Sequence, residues 1–197
     1  MSSYSDDILK NPTLLFGIMF CACKHCLYAD DELDFHVTRV CPHCGKSGTR
    51  RLFQTYNIQY FLEMIQRLYI KDEPQAIVLT VCALMERLVE DLLFQIMRKN
   101  GLDDNEIDSI LLRSWRLDDR ATKVFKKYAK QTLAQAIEGI SAKKFWRTWR
   151  DLQEKRDKFI HGRASAISSP DGKKAFELAL DAQQVFCQVH NRHCLLL

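Results

Sequence analysis

Glycine and proline are scarce in this sequence, and no apolar run in it is long. The 197 residues include 7 glycines and 4 prolines, too few for collagen-like, low-complexity or turn-dense all-β architectures. The longest strongly apolar stretch, 76–85, has about half of the roughly 20 residues that a membrane-spanning helix needs. Charge is nearly balanced, with 29 Lys and Arg against 25 Asp and Glu. We therefore expect a globular, helix-rich protein that makes no contact with a membrane.

A secretory leader is not indicated either. The segment 14–22 is apolar enough for the core of a short signal peptide, but Asp6 and Asp7 stand where such a peptide carries positive charge. We therefore expect a cytoplasmic protein. In a reducing compartment, metal binding explains the 8 cysteines better than disulfides do.

Two C-x-x-C pairs separated by fourteen residues predict a metal site, and their members are Cys23, Cys26, Cys41 and Cys44. Four thiolates suit tetrahedral zinc, and each two-residue spacer lets a tight turn aim both sulfurs at one ion. Gly45 suits the turn that follows the second ligand of its pair. Cys21 is a candidate substitute ligand, but the spacing of Cys23 and Cys26 is more regular, and His25 and His43 are expected to be spacers. Because a closed four-cysteine site has no open coordination position, we expect this zinc to be structural.

The character of the sequence changes near residue 55. Residues 1–55 place short strand-like segments (14–16, 18–20 and 35–40) around the cysteine pairs, which predicts a small β-type zinc ribbon. In residues 56–197 apolar side chains recur at three- and four-residue spacing, which is typical of an all-α bundle. Helices are predicted over 56–71, 74–99, 104–113, 119–130, 142–161 and from Ser168 to about residue 191. The second is expected to be the central helix, and Ser141 is the expected N-cap of the fifth.

Basic residues are concentrated in one part of the predicted bundle. Between Arg113 and Arg163 the sequence has 15 basic and 6 acidic residues. Such an excess attracts polyanions such as RNA, although a helical protein can also carry it as a merely solvated face.

The most informative segment lies at the end of the fifth predicted helix, where Arg156, Asp157, His161 and Gly162 occur. A histidine before the glycine that ends a helix is explained by the helix dipole alone. Asp157 and His161 are four apart and share a face, so the carboxylate could hold one ring N–H. Arg156 and His161 are about 140° apart around a regular helix. They converge only if the helix loosens at Gly162 or a second copy supplies the partner residue, which favours a dimer.

Arg156-x4-His161, with Asp157 after the arginine and Gly162 after the histidine, resembles the R-x4–6-H motif of the HEPN superfamily. The predicted central helix, with Glu86 embedded in it, is also similar to the central helix of these proteins, and the resemblance covers about residues 56–192. HEPN proteins are small helical bundles, many of them RNases in toxin–antitoxin, phage-defence and RNA-processing systems. The resemblance thus implies a prokaryotic toxin or phage-defence effector, for which an antitoxin or regulatory protein is a candidate partner.

The same resemblance implies a homodimer whose two motifs meet across a cleft. Such proteins cleave RNA without a metal, by attack of a ribose 2′-OH on the adjacent phosphate to give a 2′,3′-cyclic phosphate. His161 would be the general base or acid, because histidine side chains titrate near neutral pH. Arg156 would hold the phosphate, and Asp157 would orient one of these two residues. Glu86 and Glu90 are weaker candidates for supporting Arg156.

Basic and aromatic side chains near the motif are candidates for RNA contact. The basic ones are Lys143, Lys144, Arg147, Arg150 and Arg163. Trp146 and Trp149 could stack on unpaired bases, although aromatics at helical spacing more often belong to a core. Two further functions stay open. One is a non-catalytic RNA- or protein-binding module with structural zinc, and the other is a zinc-dependent enzyme, which an all-cysteine ligand set disfavours.

Overall fold

The structure, a computed structural model, describes residues 21–29, 40–51, 55–163 and 167–195. In these ranges the chain is mainly helical, and none of their helices is both long and apolar enough to cross a membrane. The strands predicted at 14–16 and 18–20, and the one at 35–40 except for its last residue, lie outside the described residues.

Two short strands precede eight helices in the described part of the chain. Strand β1 (Cys21–Cys23) pairs antiparallel with β2 (Thr49–Arg51). The helices are α1 (Thr55–Ile70), α2 (Pro74–Lys99), α3 (Asp104–Arg113), α4 (Leu117–Asp119), α5 (Phe125–Ala129), α6 (Leu133–Gly139), α7 (Lys143–Ile160) and α8 (Ser169–Cys194). A π-helical turn, Arg120–Val124, joins α4 to α5. The predicted helical class is thus confirmed.

Most helix ends lie close to the predicted ones. The predicted bounds of α2 and α3 are confirmed at both ends, and α1 begins and ends one residue early. Helix α3 begins at a capping box, in which Asp103 accepts a hydrogen bond from the N–H of Glu106. The predicted helix 119–130 corresponds to the segment from α4 through α5, and α8 extends three residues beyond its predicted end.

The predicted N-cap role of Ser141 is wrong. Ser141 has a left-handed backbone (φ 63°), and it ends α6, a helix that the sequence analysis missed. Its N–H donates to the carbonyl of Glu138 (2.9 Å), and the N–H of Ala142 donates to that of Ile137 (3.1 Å). This is the Schellman closure of a preceding helix. Ala142 instead occupies the N-cap position of α7, without a side-chain hydrogen bond.

Helix α2 is central, as predicted, and packs against α1, α7 and α8. Its buried side chains extend along its whole length and include Val78, Val81, Met85, Leu88 and Leu92. At the start of the helix, a Cβ on Gly172 of α8 would come within 2.9 Å of Pro74 Cα. The missing side chain therefore lets the first turns of α2 and α8 touch.

A buried carboxylate ties the start of α8 to α7. Asp171 accepts hydrogen bonds from the N–H (3.0 Å) and hydroxyl (2.7 Å) of Ser168, completing a capping box. It also pairs with Lys155 of α7 at 2.5 Å. Burial by itself would raise the pKa of Asp171, but these contacts lower it to about 2. The charged form is therefore the stable one in the folded protein.

Substitution of Asp171 is expected to destabilise the fold in a pH-dependent way. Because the pKa falls from an ordinary 3.8 to about 2 on folding, the carboxylate contributes about 2 kcal/mol of stability above pH 4. This contribution is lost as the pH falls from about 4 towards 2. Denaturant unfolding followed by circular dichroism should show a deficit of that size for Asp171→Asn at pH 7 and a smaller one at pH 3. Asp108→Asn, at an exposed position, is the control, and an equal deficit at both pH values would contradict the prediction.

Candidate functional site

The end of α7 brings Arg156 and His161 to one surface. Gly162 has a left-handed backbone (φ 64°), and the N–H groups of Gly162 and Arg163 donate to carbonyl oxygens of the last helical turn at 3.2 and 2.8 Å. The helix thus ends at the predicted glycine. His161 is the exposed C-cap residue, with φ −88° and ψ 13°, so its side chain does not continue the regular helical path.

Arg156 and His161 line the same groove, whose volume is about 790 Å³. Its walls are α7, Glu86 of α2, and the connection between α3 and α4 with Trp115 and Arg116. One chain therefore places both residues of the motif on one concave surface. The lining has both signs of charge, since carboxylates of α4 and α7 accompany the guanidinium groups.

Arg156 is held from two sides. Its Nη1 donates to Glu86 Oε1 on the central helix, and its Nε donates to Asp157 Oδ1 at 3.1 Å. Burial alone would lower the pKa of Arg156, but the Glu86 carboxylate raises it above its ordinary value. Among the described residues, Nη2 of Arg156 makes no hydrogen bond, so its donors stay available for an anion.

The candidate supporting residues separate into two groups. Glu86 supports Arg156, as predicted, and Asp157 contacts Arg156 and not His161. Glu90 does not contact Arg156. It lies 3.4 Å from Arg120 Nη1, and the same guanidinium donates to the carbonyl oxygens of Ser114 (2.8 Å) and Leu111.

Arg120 is a positioning residue that the sequence analysis missed. Its contacts attach the connection between α3 and α4 to the central helix. No sequence signal distinguishes it, because an arginine in a polar helical segment resembles a solvated one until its neighbours are known.

The predicted RNA-contacting residues do not gather in the groove. Lys143 and Lys144 lie at the start of α7, about 20 Å along the helix from Arg156. Arg147 and Arg163 are exposed but are outside the groove lining. Only Arg150 of this set lines the groove, where it pairs with Asp118 at 2.8 Å.

The tryptophans also differ from the stacking prediction. Trp149 is fully buried in the core, and half-buried Trp146 packs edge-on against it with ring centroids 5.3 Å apart. Trp149 is therefore unavailable to a base. Trp115, which the sequence analysis did not select, is exposed and lines the groove.

The four predicted ligand cysteines form a compact cluster. All four sulfurs lie within 4.8 Å of one another, with Cys23 and Cys44 separated by 3.6 Å and Cys26 and Cys41 by 3.7 Å. Zinc–sulfur bonds of about 2.3 Å in a tetrahedron place sulfurs about 3.8 Å apart. The cluster could therefore hold a metal ion. The side chain of Cys21, the proposed substitute ligand, lies outside the described residues.

Both C-x-x-C turns have the same backbone. In each turn, the N–H of the first cysteine donates to the carbonyl oxygen of the residue five positions later. The carbonyl oxygen of that same cysteine accepts from the N–H of the residue four positions later. The residue after the second cysteine is left-handed in both, at Leu27 (φ 63°) and Gly45 (φ 69°). Burial would raise the pKa of Cys23, but the backbone N–H groups of Cys26 and His25 lower it to about 7. This hydrogen bonding favours the thiolate of Cys23, whereas burial raises the pKa of Cys41 and raises that of Cys26 to about 12.

The two histidines inside the turns have other contacts, as the spacer prediction requires. His25 Nε2 lies 3.1 Å from the carbonyl oxygen of Ser47. The His43 ring stacks on Tyr28 with centroids 5.6 Å apart. These contacts join the two turns to each other.

The cysteine cluster is attached to the end of α8. Asn191 accepts from the N–H of Ala29 (2.6 Å) and donates to its carbonyl oxygen (2.7 Å). Nε2 of buried His190 lies 2.9 Å from the carbonyl oxygen of Leu27. Ala29 itself is buried in the same core as the helices. The described part of the cysteine-rich segment is thus packed on the helical core.

No protein-family model matches this sequence, and neither a curated protein nor a solved structure shows significant similarity to it.

Proposed function

We propose that this chain is a metal-independent RNA endonuclease that acts as a homodimer in the cytoplasm. The observation that carries the proposal is the groove that both Arg156 and His161 line, with Arg156 held by Glu86 of the central helix. A fixed guanidinium and a solvent-accessible imidazole in one groove can bind a phosphate and transfer a proton. In keeping with the HEPN resemblance, we propose a role as a prokaryotic toxin or phage-defence effector under control of an antitoxin or regulatory protein.

The proposed reaction is an internal transesterification of RNA. His161 removes the proton of a ribose 2′-OH, and the 2′ oxygen attacks the adjacent phosphorus. The bond from phosphorus to the 5′ oxygen breaks, which leaves a 2′,3′-cyclic phosphate on one product. The departing 5′ oxygen takes a proton from water. Arg156 stabilises the charge that builds on the non-bridging oxygens.

Exposed apolar side chains beside the motif support the dimer. Phe159 and Ile160, which immediately precede His161, are 42% and 56% exposed. Contiguous exposed apolar side chains mark surfaces that can meet another chain. A second copy placed there would bring its own motif close to this one.

We propose that the cysteine cluster holds structural zinc. Bound zinc would supply folding free energy to a segment with little core of its own. Four cysteine ligands leave no coordination position for a substrate, and the cluster residues are outside the lining of the groove. The metal therefore takes no part in the proposed reaction.

A non-catalytic binding module is the second candidate, and the pairing of Arg156 favours it. Glu86 and Asp157 already neutralise this guanidinium, and a group paired in this way can also serve packing alone. In that reading the chain would bind RNA or a protein without changing it.

Incubation of the purified protein with total RNA and tRNA in EDTA separates the two candidates. The nuclease proposal expects cleavage with 2′,3′-cyclic phosphate ends, detected by resistance of the new 3′ ends to ligation until the cyclic phosphate is removed. RNA that is bound but stays intact for hours would favour the binding module. The His161→Ala protein, prepared in parallel, reports cleavage by a contaminating nuclease.

Substitution of Glu86 is expected to lower activity without unfolding the protein. Glu86→Gln keeps the size of the side chain but removes the charge that positions Arg156, and kcat/KM should fall about ten-fold. Stability should change by less than about 1 kcal/mol, because both side chains are partly exposed. Glu63→Gln, which breaks a pair with exposed Arg67 of α1, is the matched control. Equal activity in the two variants would argue against a positioning role.

A further inference from the structure

We propose that Trp115 and Arg116 form a stacking site for an unpaired RNA base next to the scissile phosphate. The inference rests on the proposed function and names its substrate class, which is single-stranded RNA. The site lies in the connection between α3 and α4, at the edge of the groove that contains Arg156 and His161.

The exposure of Trp115 is the first observation. This side chain is 70% exposed, whereas Trp149 is fully buried and Trp146 is half-buried. Leaving the largest apolar side chain in water forgoes the free energy that its burial would contribute to folding. An exposed tryptophan that lines a groove is therefore best explained by something that covers it when bound.

The position and charge of the site point to a nucleotide. Arg116 lies over the Trp115 ring, with Cζ 5.1 Å from the ring centroid. A flat aromatic face next to a guanidinium matches a base next to a phosphate, the combination that single-stranded nucleic acids present. Asp118 is close in sequence, but its carboxylate is paired with Arg150 at 2.8 Å, which reduces its repulsion of a phosphate.

The backbone that carries Trp115 is held in place. Half-buried Arg120 donates to the carbonyl oxygens of Ser114 and Leu111 at 2.8 and 3.1 Å, and it pairs with Glu90 at 3.4 Å. Glu90 is one helical turn from Glu86, the residue that holds Arg156. One face of α2 therefore positions both the phosphate-binding arginine and the connection with the exposed ring. A base stacked on that ring would be presented at a defined place in the groove.

Only an unpaired base can use such a site. In an RNA duplex both faces of each base are covered by its neighbours, so stacking on a protein side chain requires a nucleotide that is free of the helix. The site would thus direct cleavage to loops and single strands. A second copy of this chain is the other possible occupant of an exposed ring, and the experiment separates the two.

Binding of RNA that cannot be cut tests the proposal. Fluorescence anisotropy would measure the Kd of His161→Ala protein for an unstructured oligoribonucleotide of about twelve nucleotides and for the same strand in a duplex. Adding Trp115→Ala should weaken binding of the single strand about ten-fold or more, and Trp115→Phe should restore most of it. Leu112→Ala is the matched control, because Leu112 is 77% exposed and outside the groove lining.

The outcomes distinguish this proposal from the proposed nuclease. If the parent protein cuts no RNA but single-strand binding depends on Trp115, the stacking site stands without the nuclease. An unchanged Kd in Trp115→Ala overturns the stacking site even if the parent cleaves RNA. Sedimentation of each variant at the same concentration detects whether a second copy of the chain, the other candidate occupant, covers the ring. A shift of Trp115→Ala to a smaller species, with unchanged RNA affinity, would assign the ring to contact between copies and also overturn the proposal.

Discussion

Replacement of His161 by alanine is expected to lower the rate of RNA cleavage by about 10²- to 10⁴-fold, the range that general acid–base catalysis contributes. The exposed imidazole is the group in the groove that is suited to accept the 2′-OH proton. Because His161 is exposed at the helix C-cap, the free energy of unfolding should change little. Single-turnover cleavage of one purified RNA in EDTA, together with denaturant unfolding, measures both quantities.

Arg156→Ala should lower the rate of RNA cleavage about 10²- to 10³-fold, since it removes a preorganised hydrogen-bond donor to the charge of the transition state. Lys158→Ala is the control for both substitutions, because Lys158 is a cation of the same last turn that pairs with Glu154 and does not line the groove. Full cleavage by His161→Ala, or a loss in Lys158→Ala equal to that in Arg156→Ala, would contradict the assignment.

Mixing the two inactive variants tests which copies form one site. If Arg156 of one copy acts with His161 of the other, a mixed dimer of Arg156→Ala and His161→Ala contains one complete site and regains activity. If the two residues act within one chain, as their shared groove suggests, every mixed dimer lacks one partner at each site and stays inactive. Co-purification of both chains through an affinity tag on one of them verifies that the chains exchange.

The second large expected effect is local unfolding of the cysteine-rich segment when the metal is lost. The purified protein should contain about one zinc per chain, and Cys26→Ser should contain much less, because it removes one of four ligands from a compact site. Structural zinc provides binding free energy on the order of 10 kcal/mol, and this is also folding free energy. Elemental analysis measures the metal, and hydrogen exchange should show faster exchange of residues 21–29 and 40–51.

The helices should respond much less than the cysteine-rich segment. The two are joined by hydrogen bonds from His190 and Asn191 and by buried Ala29, whereas the helices also have a continuous core of their own. Helical circular dichroism should therefore be largely retained in Cys26→Ser. Cys187→Ala, at a buried position of α8, is the control and should keep the metal. Loss of RNA cleavage on chelation while hydrogen exchange stays slow would instead revive a zinc-dependent enzyme.

Helix positions were largely predictable because their signals are local. Pro74 in a first turn, the Asn100-Gly101 stop and the periodic apolar residues between them determine α2 without reference to other elements. The same holds for the glycine at 162 that ends α7. The prediction was wrong at Ser141. A serine commonly starts a helix, but here it ends the short helix before it, and a seven-residue helix has too few turns to show a period in the sequence.

The cysteine cluster and the helix end from Arg156 to His161 were predictable from the sequence alone, since spacing along a single turn or helix end decides which groups can lie close together there. The partners of these groups were decided by the tertiary structure. Glu86 and Glu90 look equivalent in sequence, yet packing directs one to Arg156 and the other to Arg120. The three tryptophans look equally able to stack, yet Trp149 fills the core and Trp115 faces the groove. Local chemistry shows what a residue can do, but burial and charge pairing depend on elements that are distant in the chain and adjacent only after folding.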